Sequence, residues 1–212
     1  MKQFIVKNSV VVLCITALFL SGCVSGGTKV PLTKQKYSPS FSGGEYSRYK
    51  GKSLVLSNFI NQAQNTKTYS YSSPDKKYVY EGDASLEAYY QSCYQKAFRH
   101  IGVKLVDYVY REDYERPYYR HRYWGYHGNG SYGPPKGVLE FQLVLLSMTD
   151  EEFKFKAILF KEGDTKFDKD YTVTMAAAPE TDNTATLEKR AYQLVDLSFT
   201  TIMKDREFQK FF

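Results

Sequence analysis

The sequence predicts an α+β fold: a mainly antiparallel sheet with two helices on one face, in a two-layer sandwich. Three observations predict it. Residues 137–176 hold three consecutive runs of period-two alternation separated by short polar turns, the pattern of an antiparallel meander. Residues 83–101 and 184–204 place apolar side chains three and four apart, the pattern of amphipathic helices. The apolar run Leu54-Val55-Leu56 adds a strand ahead of the first helix. A sheet must bury its apolar face, and these two helices are the available cover.

The chain opens with Lys2 and Lys7, followed by an apolar run over 10–20 and then Leu20-Ser21-Gly22-Cys23. A charged start and an apolar run of this length make a secretory signal, too short for a permanent span. With small residues leading into Cys23, the pattern resembles the lipobox of bacterial lipoproteins. That resemblance implies that residues 1–22 are a signal peptide and that Cys23 becomes the first mature residue. It would carry a covalent diacylglycerol and an N-acyl chain, with no other cofactor. Val24 stands where Asp would retain such a lipoprotein at the inner membrane, so the expected address is the outer membrane, facing the periplasm. More than one acyl chain makes attachment effectively permanent.

Residues 23–51 read as the lipidated cysteine and a flexible tether rich in Ser, Gly, Lys and Pro. A coil of that length spans roughly 30 Å. The domain is expected over 52–212. Its first strand lies in 52–60. Two short extended runs, 66–71 and 77–80, flank Ser72-Ser73-Pro74-Asp75, a turn composition. Asp83 reads as a helix N-cap. Leu86, Tyr90, Cys93, Ala97 and Ile101 then form one helical face, and Gly102 suits the left-handed residue that closes a helix. A strand over 103–109 follows, with one parallel pairing across the helix.

In the meander, Leu139, Phe141, Leu143 and Leu145 face one way and Glu140 and Gln142 the other. Phe153, Phe155, Ala157 and Leu159 continue the pattern, then Phe167, Tyr171, Val173 and Met175. Asp150-Glu151 and Gly163-Asp164 supply the turns. The last helix carries Leu187, Ala191, Leu194, Ser198 and Ile202 on one stripe.

Composition excludes several classes of function. Loss of Lys2 and Lys7 takes the formal charge from +6 to +4 over the 190 mature residues, with both signs interspersed, so no nucleic acid partner is expected. His100, His121 and His127 lack a ligand spacing, and no metal is expected. No nucleophile stands in a recognisable catalytic frame, so no enzyme activity and no catalytic residue are expected. Asp164, Asp168 and Asp170 lack the glycine and spacing of a calcium loop and read as solvated hairpin ends. With Cys14 removed and Cys23 lipidated, Cys93 stands alone and is expected to be buried.

One stretch is left over. Residues 111–136 form a Tyr/Arg/Gly-rich loop longer than compact domains usually carry. Tyr, Trp and Arg combine large contact area with a polar tip and are enriched where proteins bind. Candidate partner-binding residues are therefore Arg116, Tyr118, Tyr119, Arg120, Arg122, Tyr123, Trp124 and Tyr126, and the competing reading is a Gly/Tyr-rich loop that simply extends a hairpin or stays mobile. In element order the domain resembles the small α+β lipoproteins of the periplasm, such as the auxiliary lipoproteins of ABC-type lipid transporters and the lipoprotein that plugs the lipopolysaccharide-assembly barrel. The resemblance implies a docking or accessory subunit of an envelope assembly or transport system, with an envelope protein as partner beside the membrane. The alternative is a carrier of lipid or glycan, which requires a ligand-sized cavity of roughly 300 Å³ or more.

Overall fold

The computed structural model describes residues 27–111, 131–181 and 183–212. The architecture is α+β. The chain runs β1 (Thr28–Leu32), a 3-10 helix (Gly43–Tyr49), β2 (Ser53–Leu56), β3 (Ile60–Asn61), β4 (Ser70–Ser72), β5 (Tyr78–Gly82) and α1 (Leu86–His100). It continues with β6 (Lys104–Leu105), β7 (Val109–Arg111), β8 (Ser131–Gly133), β9 (Leu139–Met148), β10 (Glu152–Lys161), β11 (Asp164–Thr174), α2 (Thr184–Lys204) and α3 (Arg206–Gln209).

Among the described residues the strands divide among three sheets where one was expected. The largest has the order β11-β10-β9-β2-β6, with β3 also on β9. Its meander pairs antiparallel, Phe155 opposite Leu145 and Tyr171. The β2 strand lies parallel to both β9 and β6, so the expected parallel pairing across α1 is present. A second sheet has the order β1-β5-β4, and β7-β8 form a separate two-stranded ribbon. The turn from β10 to β11 uses Glu162 at φ +51° and Gly163 at φ +86°, the two positive values that a tight hairpin with the native strand twist requires.

The helix–sheet core is aromatic. Phe141 of β9 meets Phe98 of α1 edge-to-face at 5.4 Å, and Phe199 of α2 meets Phe98 at 4.9 Å. Tyr94 touches Phe141 and Phe199, and its hydroxyl reaches Ser198 Oγ at 2.9 Å. The predicted stripe Leu86, Tyr90, Cys93, Ala97 and Ile101 is buried along its length. Burial pushes the Cys93 thiol up to about 12, so it is not a reactive thiolate. Gly102 closes the helix at φ +81°.

Four further expectations are corrected. The tether over 23–51 does not hold from Thr28 onward: β1 pairs β5, and Val30, Leu32, Tyr37, Tyr46 and Tyr49 lie in the core. Polar partners supplied from distant helices make this possible, and local composition does not reveal them. Asp83 is not the N-cap of α1, which starts two residues later behind Ser85. The strand expected over 103–109 is divided, because Lys104–Leu105 pairs with β2 while Val109–Arg111 turns away into the ribbon. Glu140 does not face water: it is fully buried and accepts a hydrogen bond from Tyr108 Oη at 2.5 Å.

Candidate functional site

The ribbon β7-β8 carries both ends of the Tyr/Arg-rich stretch. Val109 pairs with Gly133, Tyr110 with Tyr132, and Arg111 with Ser131. Two strands of three residues do not hold together alone in water. Here Arg111 Nη1 donates to Glu162 Oε2 at 2.8 Å and to the Pro134 carbonyl at 3.1 Å. The other oxygen of Glu162 accepts the Gly137 N–H at 2.5 Å. One carboxylate thus clamps the ribbon and the strand that follows it onto the β10-β11 turn. The Arg111 side chain is 9% exposed, which strengthens this ion pair over a fully solvated one.

The clamped ribbon presents aromatic surface. Tyr110 is 52% exposed, Tyr132 59% and Val109 42%, and the two tyrosine rings meet edge-on at 5.9 Å as a cross-strand pair. Apolar ring faces with polar tips on a fixed backbone suit contact with a protein surface. Sequence reasoning placed the site at Arg116, Tyr118, Tyr119, Arg120, Arg122, Tyr123, Trp124 and Tyr126, all of which lie outside the described residues, as does Cys23. Arg111 and Tyr132 lie inside the 111–136 stretch but not among the candidate residues, and Tyr110 and Glu162 lie outside it. Tyr110 extends the Tyr/Arg composition by one residue, a signal that was available. Glu162 carried none, because its role depends on the folded hairpin.

The other polar clusters hold the fold together. Asp196 accepts Tyr37 Oη at 2.7 Å, Ser40 N at 3.0 Å and Ser40 Oγ at 2.5 Å. Asp150 is buried and accepts Tyr80 Oη at 3.0 Å, with Arg190 Nε 3.9 Å away. Burial raises the Asp150 carboxyl above its ordinary range, while Tyr80 and Arg190 pull it back. His100 Nε2 donates to the Phe41 carbonyl at 2.9 Å. Lys156 bridges Asp168 and Asp170 at 2.9 and 3.4 Å, which accounts for part of the acidic cluster. Among the described residues, no group of three or more His, Cys, Asp or Glu side chains is placed to hold a metal ion.

No family model matches the chain, and no curated protein matches it. Among solved structures it is similar to protein XCC0632 from Xanthomonas campestris, of the family DUF330, at 7% identity and a TM-score of 0.46, covering 83% of this chain and 95% of that one. It is also similar to an uncharacterized protein at 7% identity and a TM-score of 0.37, covering 72% and 93%. Likenesses of this strength carry no argument about what the chain does.

Proposed function

We propose that this protein is a non-enzymatic lipoprotein, anchored through Cys23 to the outer membrane and facing the periplasm. It serves as a docking or accessory subunit of an envelope assembly or transport system. The observation that carries the docking half is the ribbon: exposed Tyr110 and Tyr132 on a backbone clamped by Arg111 and Glu162. The anchor half rests on the signal and lipobox pattern through Cys23. Behind the ribbon stands a rigid platform, read as two layers with both long helices over one face of the large sheet. The contacts of Phe98 and Phe199 across Phe141 and Tyr94 support that reading. The same close ring packing favours docking over a carrier, which needs free volume between helices and sheet.

The test is crosslinking in intact cells, then purification of the full chain and mass spectrometry, with Tyr110→Ala/Tyr132→Ala beside the native protein. The expected result is one dominant envelope protein that is lost with the double substitution. A monomer carrying co-purified lipid or glycan would overturn docking and establish the carrier.

A further inference from the structure

The molecule has two ends, set by the two turns of the meander. At one end the β9-β10 turn carries Asp150, which accepts Tyr80 of β5, so the sheet β1-β5-β4 sits there. At the other, the β10-β11 turn carries Glu162, which holds the ribbon. The ten residues of β10 between them span about 30 Å.

Gly27 lies at the Asp150 end. It backs onto the turn that precedes β5: a Cβ there would stand 2.5 Å from the Lys76 carbonyl oxygen and 2.7 Å from that of Lys77. Thr28 N donates to the Lys77 carbonyl at 2.8 Å, and Lys77 pairs with Glu180 at 2.6 Å. Tyr78 Oη joins Pro179 and Thr181, a few residues past the point where Met175 N donates to the Glu151 carbonyl. From Gly27 the chain tracks α2 toward the far end: Thr33 meets Tyr192, Tyr37 meets Asp196, and Tyr49 Oη meets the Met203 carbonyl. The α2 helix, 21 residues long, covers the same distance of about 30 Å.

Only Val24, Ser25 and Gly26 separate Cys23 from Gly27. Fully extended, that connection reaches about 14 Å. We infer that the anchored protein rests its Asp150 end against the lipid surface and holds the Tyr110/Tyr132 ribbon about 30 Å farther out, at the opposite end. This rests on the anchor reading above. The occupant of the near face is the leaflet that holds the acyl chains. Charge does not drive the contact, because Lys29, Lys76 and Lys77 stand beside Asp75, Glu81 and Glu180. The shortness of the connection does. The partner is therefore met away from the bilayer, and the domain does not roam on a long tether.

The test uses the full lipidated chain in vesicles of phosphatidylethanolamine and phosphatidylglycerol that contain a headgroup-nitroxide lipid. A fluorophore is placed at Lys76→Cys or Lys161→Cys, both exposed positions, while buried Cys93 stays unlabelled. Quenching several-fold stronger at position 76 than at 161 is expected. A Gly/Ser insertion of about twenty residues after Ser25 should bring the ratio toward one, since such a coil spans roughly 25 Å. Equal quenching in the uninserted chain, with acyl chains on Cys23 by mass spectrometry, overturns the orientation and leaves the anchor standing. Absence of acyl chains overturns the anchor and this inference with it.

Discussion

Two segments of this chain read alike and behave differently in the fold. The strap over 27–50 and the stretch over 109–133, whose two ends form the ribbon, are both rich in Tyr, Gly and basic residues. The strap buries Tyr37, Tyr46 and Tyr49 to 3% exposure or less, whereas the ribbon leaves Tyr110 and Tyr132 more than half exposed. The difference lies in what the rest of the molecule offers. Along the strap, Lys96 Nζ donates to the carbonyls of Lys34, Gln35 and Tyr37 at 2.8, 2.8 and 2.9 Å, and Asp196 takes three further hydrogen bonds. Irregular backbone can be buried once its polar groups are paired. The ribbon is held through Arg111 and Glu162 at the β10-β11 turn, and both of its tyrosines are at the surface.

The comparison can be broken most forcefully at Tyr37. Tyr37→Ala removes a buried ring and leaves Asp196 short of a donor, so a loss of about 3–5 kcal/mol is expected in urea unfolding. A loss under about 1 kcal/mol would mean that the strap is dispensable. Asp196→Ala should cost about 2–3 kcal/mol and raise hydrogen exchange at residues 37–41. Unchanged exchange there would show that Asp196 does not hold the strap.

Asp205 supplies an intermediate case through pH. Burial raises its carboxyl, but hydrogen bonds from Lys169, Tyr171 and the N–H groups of Glu207 and Phe208 outweigh that and hold it down to about 2, from 3.8. A depressed acid stabilises the fold above its unfolded value and loses that contribution as pH falls through the folded one. Stability should therefore drop by about 1–2 kcal/mol between about pH 4 and 2, discounted because Lys169 is 40% exposed. Asp205→Asn should flatten that part of the curve, and an unchanged slope would assign the loss elsewhere.

At the ribbon the effects on stability are smaller. Arg111→Met should cost about 1 kcal/mol or less while raising hydrogen exchange at Val109–Arg111 and Ser131–Gly133. Tyr110→Ala should change stability by less than about 0.5 kcal/mol and still weaken partner capture. A loss of several kcal/mol at Tyr110 would erase the distinction between strap and ribbon and make the ribbon part of the core.

Much of the fold was legible because local pattern and burial agree there. The α2 helix begins at Thr184 behind Asn183, whose side chain accepts the N–H groups of Ala185 and Thr186. The meander's alternation survives as Phe153, Phe155, Ala157 and Leu159, all fully buried. Where a polar residue is paired from a distance, the pattern misleads. Glu140 alternates as if toward water and is buried under Tyr108. The strap looks like a linker because its partners, Lys96, Glu188 and Asp196, lie 59 to 159 residues away.

The sequence by itself determined the α+β class, the meander and both long helices, since each is written in residues close together along the chain. Periodicity and local spacing are short-range signals, and short-range signals can be read without a fold. The tertiary structure alone decided that the chain is built in from Thr28 onward, that the strands of the described residues divide among three sheets, and that Glu162 clamps Arg111. Those features depend on charges and carbonyls brought together across tens of residues, and that information exists only once the backbone has closed on itself.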